Sequence, residues 1–194
     1  VFCLLCFFAH GQEDVTFWFV APEVSQTGTL NLDRPIFLRL TAFASAATVT
    51  ISQPAGGGMP TSVVSIPANS TVSVDLTPWI DFIENKPPNT VLNYGIEIQS
   101  TAPITAYYTV VSGPCLCNPE AFVLKGNNAL GTSFWIPGQN MLDNSLSYTP
   151  TPYNAFDIVA TQNATTVTIT PAQNIVGHAA GVPLTVTLNQ GQTY

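Results

Sequence analysis

The residues of this 194-residue chain that could do chemistry are few and scattered. A nucleophilic triad needs an imidazole beside a serine or cysteine, so that the ring can take the proton as the new bond forms. His10 ends an apolar leader, and His178 stands alone in Asn174-Ile-Val-Gly-His-Ala-Ala-Gly181, a stretch that reads as a loop. Asp81 and Glu84 lie three apart on a candidate helix, the spacing of a carboxylate pair, but they read as its solvated face. Gly56-Gly57-Gly58 is followed by Met59-Pro60 and not by a Lys-Ser/Thr pair, so it reads as a flexible hairpin tip and not as a phosphate cradle. Asp33 and Asp143-Asn144 offer loop oxygens of the kind Ca²⁺ takes, without the spacing of a calcium loop. No catalytic constellation emerges, and the expectation is a protein that is not an enzyme and carries no metal or other cofactor.

Cysteines and aromatic residues remain. Cys115 and Cys117 are two apart, where a mutual bridge closes a tiny, strained ring; a disulfide between them, a partner elsewhere and two free thiols all stay open. A metal site there would need further soft ligands. Trp18 and Trp135 each follow a phenylalanine and read as one structural layer, packed in the core. Tyr148 and Tyr153, in Tyr148-Thr-Pro-Thr-Pro-Tyr153, read as exposed and are the candidate ligand contacts.

The elements that would position these residues are strands. Alternation with period two runs through Ala47-Thr-Val-Thr-Ile51, Thr71-Val-Ser-Val-Asp75, Thr165-Thr-Val-Thr-Ile169 and Pro183-Leu-Thr-Val-Thr-Leu188. β-Branched residues pack well on a pleated, half-buried surface, and turn formers such as Pro67-Ala-Asn-Ser70 and Asn189-Gln-Gly191 separate the runs. One helix is predicted from Thr77, with Thr77 as its cap and Pro78 in the first turn, ending before Pro87. Landmarks recur at a fixed interval: Phe17-Trp18 as Phe134-Trp135 and Pro35 as Pro152, both 117 apart, and Thr48-Val-Thr-Ile51 as Thr166-Val-Thr-Ile169, 118 apart. Leu40, Ile98 and Ile158, separated by 58 and 60, suggest a half-period beneath. Repeated units of this size bury an apolar face against neighbours. The expected fold is all-β, built of antiparallel hairpin repeats, as propeller-like blades forming an open fragment or, in the alternative, as a tandem β-sandwich.

Composition bounds the setting. Eleven acidic residues against four basic ones give a formal net charge of −7, which repels phosphate backbones, so nucleic acid is not an expected partner. Residues 1–11 carry the apolar run Val1–Ala9 and end in Ala9-His10-Gly11, the small residues of a signal-peptidase site. They are read as a signal-peptide remnant, with residues 12–194 as an exported β domain; a buried first strand is the alternative. No segment reaches the eighteen or so apolar residues of a membrane helix. The last residues, Gln190–Tyr194, read as a turn launching a further strand, and the chain is expected to be part of a longer polypeptide.

Three stretches carry a family resemblance: Leu92–Tyr107, Phe122-Val-Leu-Lys-Gly-Asn-Asn-Ala-Leu-Gly-Thr-Ser-Phe134, and Tyr153-Asn-Ala-Phe-Asp-Ile-Val-Ala160. From about Phe17 to Tyr194 the sequence resembles the N-terminal domain family named after the IgGFc-binding protein, in its bacterial secreted branch. The resemblance implies an extracellular β domain at the head of a large multidomain protein; the family name implies antibody Fc as a ligand of the animal mucus protein, and no residue set comes with it. Pro114-Cys-Leu-Cys-Asn-Pro119 departs from the pattern, placing two cysteines where a short polar loop is expected. The function expected is a secreted or cell-surface binding or adhesion module whose partner is an extracellular protein or glycan. A structural stalk is the alternative, and part of a carbohydrate-active enzyme ranks last.

Overall fold

The computed structural model describes residues 12–24, 33–111, 119–138 and 154–194. Nine strands run in chain order: β1 (Asp14–Phe19), β2 (Ile36–Ala42), β3 (Ala47–Ser52), β4 (Ser62–Ile66), β5 (Ser70–Asp75), β6 (Ile96–Val110), β7 (Glu120–Leu124), β8 (Thr165–Ile169) and β9 (Leu184–Leu188). Every strand pairing is antiparallel. The all-β expectation therefore holds.

The fifteen-residue β6 organises a seven-stranded sheet. Its first half pairs with β1 and β3, reaching Ser100 on the β3 side; its second half, from Ile104, pairs with β2 and β7. The change of partners falls at Ser100-Thr-Ala-Pro103. Pro103 has no N–H to give a ladder, and the Ser100 hydroxyl donates to the Ala102 carbonyl at 2.6 Å. A break in the β1 register between Asp14 and Thr16 faces the same stretch. The sheet thereby curves around one core as a nearly closed, barrel-like sheet. Leu40 and Ile98, read as half-period equivalents, lie instead on two strands, β2 and β6, that pair with each other.

Alternation selects the buried face. Leu38, Leu40, Val49, Ile51, Ile96, Ile98, Ile104 and Phe17 are completely buried in a single cluster, while Arg39, Thr48 and Ser73 point outward. Full burial of an aliphatic side chain stabilises by about 1.5–3 kcal/mol, whereas an outward pair such as Thr41 and Thr71, whose hydroxyls lie 2.8 Å apart, adds about 0.2–1 kcal/mol. The inward residues therefore fix the register.

The predicted helix is a short 3-10 helix, Thr77–Phe82, with Leu76 at its N-cap position and no side-chain cap. Thr77 is drawn into a tertiary bond: its hydroxyl accepts from the Ile36 N–H at 2.9 Å, tying the turn to the start of β2. The triple glycine is pinned and does not form a flexible tip. Gln53 donates to the Phe82 carbonyl at 2.7 Å and accepts from the Met59 N–H at 2.8 Å, and a Cβ on Gly57 would run into the Asn93 carbonyl oxygen and the Gln53 amide.

Beyond the main sheet, β8 and β9 form a hairpin in which Val167 faces Val186 and Ile169 faces Leu184. The last residues join it to the rest: Thr193 pairs with Leu92 on one side and Val159 on the other. Backbone bonds of 2.8–3.1 Å between Gly191–Tyr194 and both 158–160 and 92–95 complete that ladder.

Candidate functional site

Several residues singled out from sequence, Cys115, Cys117, Tyr148, Tyr153 and Asp143-Asn144, lie outside the described residues. The others are scattered. His178 sits in the β8–β9 connection, its backbone paired with Ile175. Asp33 is completely buried and gives both carboxylate oxygens to Arg34, at 2.9 Å each, which makes it a structural ion pair and not a loop ligand. Trp18 is half-buried on β1 opposite Glu97, whereas Trp135 is 97 % exposed. The expectation that both tryptophans pack in a core layer fails at Trp135, because no strand pairs with residues 131–138 among those described.

Glu84 overturns its reading as a solvated carboxylate. Asp81 is exposed, but the chain turns inward after Phe82: Glu84 bridges to Ala21, and the Asn85 N–H donates to the Ala21 carbonyl at 2.9 Å. The Glu84 carboxylate is completely buried, accepts from the Val24 N–H at 3.3 Å and pairs with Lys86 at 2.8 Å. Burial pushes its pKa above the usual carboxylate range, although the Lys86 ammonium works against that rise. Helical spacing alone concealed this, since the helix stops before Glu84.

Next to this ion pair the structure brings together residues that sequence reasoning did not connect. Tyr108 of β6 is completely buried and stacks between Phe19 of β1 and Phe122 of β7, with ring centroids 4.6 and 6.1 Å away. Its hydroxyl has no hydrogen-bond partner, and burial, with the charges of Glu84 and Asp33, drives its pKa upward. Over this aromatic layer runs an open groove of about 330 Å³, walled by Trp18, Phe19, Val20 and Pro22 on one side, Phe122 on another, and Ala155, Asp157 and Val159 on a third. Asp157 is the groove's carboxylate. Burial raises its pKa, while the Asn85 side-chain amide, donating at 2.7 Å, and the Glu23 charge act in opposite directions. The arrangement can hold an apolar or ring-shaped group against the aromatic wall and accept a hydrogen bond from it at Asp157.

The signal for the groove was partly visible: Phe17-Trp18-Phe19 and Tyr107-Tyr108 are the densest aromatic runs of their strands. Their meeting with Asp157 depends on the antiparallel pairing of β1, β6 and β7 and on the ladder through Thr193, which no local pattern announces. Among the described residues no helix is long and apolar enough to cross a membrane. No curated protein and no solved structure matches the chain. One family model does: described as IgGFc binding protein, it matches residues 120–194, the segment that supplies Phe122, Ala155, Asp157 and Val159 to the groove.

Proposed function

We propose that this chain is a secreted or cell-surface binding module, non-catalytic, that takes an extracellular protein or glycan at the aromatic groove. The observation that carries the reading is the groove itself, built where the family-matched segment meets β1. Aromatic faces stack on apolar side chains or sugar rings, and a carboxylate at the rim accepts from a hydroxyl or amine. A net charge of −7 favours neutral or basic partners over acidic ones. A structural stalk is the second reading, favoured by the recurrence of one strand pattern in both halves of the chain.

Binding of the chain to immunoglobulin Fc, to mucin and to a glycan panel tests this reading, with Trp18→Ala and Asp157→Asn as groove variants. One class is expected to bind, and each variant to weaken it by about tenfold or more, the loss typical of a residue at the centre of an interface. Absence of binding to all three classes, or binding indifferent to both substitutions, would remove the groove as the site; the first result would leave the stalk reading.

A further inference from the structure

The chain has four basic residues, and each is engaged away from the acids of the aromatic groove. Arg34 is bound to Asp33 at 2.9 Å, and Lys86 to Glu84 at 2.8 Å and to Asp81 at 3.5 Å. Arg39 points outward from β2, lies 5.4 Å from the centroid of the Phe37 ring and donates to the Ser73 hydroxyl at 3.0 Å. Lys125 begins the turn whose Asn127 N–H donates to Asp14, at the opposite end of β1 from Phe19. No cation of the chain is left to neutralise the groove.

The groove's own charges are all negative. Asp157 is the one charged residue in its wall. Glu23, exposed, follows the wall residue Pro22, and its charge acts on Asp157. Glu97 of β6 is the cross-strand neighbour of Trp18, so the two side chains share a face of the sheet. Hydrogen-bonding capacity has the same sign. One Asp157 oxygen accepts from the Asn85 amide nitrogen at 2.7 Å, and the other has no donor among the described residues. The Asn85 side-chain oxygen is buried without a partner, so that amide adds a further uncompensated negative dipole end beside the carboxylate. Aromatic faces, which carry the negative side of the ring quadrupole, complete the wall. A ligand that matches this surface brings donors, positive charge and a flat apolar face.

We propose that the groove takes an arginine side chain of a protein partner, its guanidinium stacked on the aromatic wall and donating to Asp157. Resting as it does on the groove being the binding site, this narrows the partner from a protein or glycan to a protein with an exposed arginine. A guanidinium is planar, carries five N–H donors and stacks on aromatic faces, where the ring quadrupole attracts its charge. It is also more weakly hydrated than an ammonium, so less is lost when it leaves water, which favours arginine over lysine. A neutral sugar stacks and donates as well, but it leaves Asp157, Glu23 and Glu97 without a counter-charge. Charge is therefore the property that separates the two kinds of ligand.

Titration of the full chain with the peptide acetyl-Gly-Arg-Gly-amide, followed by NMR at the indole N–H signals of its three tryptophans, tests this, with the Trp18 signal assigned through Trp18→Phe. The same peptide with citrulline keeps the planar shape without the charge, and methyl β-glucoside is the neutral ring. The arginine peptide is expected to shift the Trp18 signal saturably and to leave Trp79 and Trp135 unmoved. The citrulline peptide should bind about tenfold more weakly or worse. Glu23→Gln, an exposed change that spares the fold, should weaken the arginine peptide by about twofold, and added salt should weaken it further. Equal affinity for citrulline, or a Trp18 shift with the glucoside and not with arginine, would overturn the proposal and leave the groove as a site for a neutral ligand. A Trp18 signal silent to all three probes would also overturn it. In that case Trp18→Ala and Asp157→Asn decide the wider reading: if they still weaken a macromolecular ligand the groove stands as the binding site, and if they do not, both fall together.

Discussion

Replacing Lys86 by methionine keeps the aliphatic stem and removes the ammonium, leaving Glu84 without its counter-charge. The Glu84 side chain is completely buried and its oxygen lies 2.8 Å from Lys86 Nζ. Unit charges about 3 Å apart at an effective dielectric of about 20 attract by about 5–6 kcal/mol, and most of that offsets the cost of taking the carboxylate out of water. Removing one member of a buried pair costs about 3–5 kcal/mol. The Lys86 side chain is 31 % exposed, so water screens part of the interaction, and about 2–3 kcal/mol is the expected loss. For a chain of this length that lowers the melting temperature by about 4–12 °C. The loss carries a pH signature. Burial already holds the Glu84 pKa above its ordinary value, and without Lys86 it rises further. A group whose folded pKa is raised contributes stability that is fully present below the unfolded pKa and lost as pH rises through the folded one. The Lys86→Met deficit should thus be largest near neutrality and above, and shrink on acidification towards the usual carboxylate range. Thermal or urea unfolding from about pH 8 to about pH 5 measures it, and Glu84→Gln combined with Lys86→Met should recover much of the loss and flatten the profile. A deficit equal at both ends of that range, or a double variant no better than the single one, would refute the argument that the cost is an uncompensated buried charge.

Two further outcomes follow from buried geometry. Tyr108→Phe keeps the ring between Phe19 and Phe122 and removes a hydroxyl that has no partner; it should stabilise the fold by about 1 kcal/mol in urea titrations, and a loss of similar size would mean that the hydroxyl is bonded. Gly57→Ala should cost about 2–3 kcal/mol, because the new methyl meets the Asn93 carbonyl and a Gln53 side chain already committed to Phe82 and Met59. Gly56→Ala, with open space around it but a φ of 78°, should cost about 1 kcal/mol; the reverse order would show that the loop is not pinned.

Strand class, alternation and the long repeat were legible because each is written locally. Thr48-Val-Thr-Ile51 declares a half-buried strand whatever its neighbours are. The course of β6 was less so, for a strand that changes partners at Pro103 looks from its sequence like two short strands. The Glu84 cluster was hidden for a different reason. Its position depends on where a six-residue 3-10 helix ends, and a helix continued by two residues would have turned the same carboxylate to solvent. The groove depends on strands distant in sequence, and only its aromatic composition was visible beforehand.

The repeated tryptophan shows where sequence reasoning has its boundary. Phe17-Trp18 and Phe134-Trp135 sit in the same local pattern, and from that pattern both read as core. One pair lies against β6 and the other against solvent. Alternation determines which face of a strand is apolar, since the side-chain period is two, but it is silent on which element covers that face, since cover is supplied from elsewhere in space.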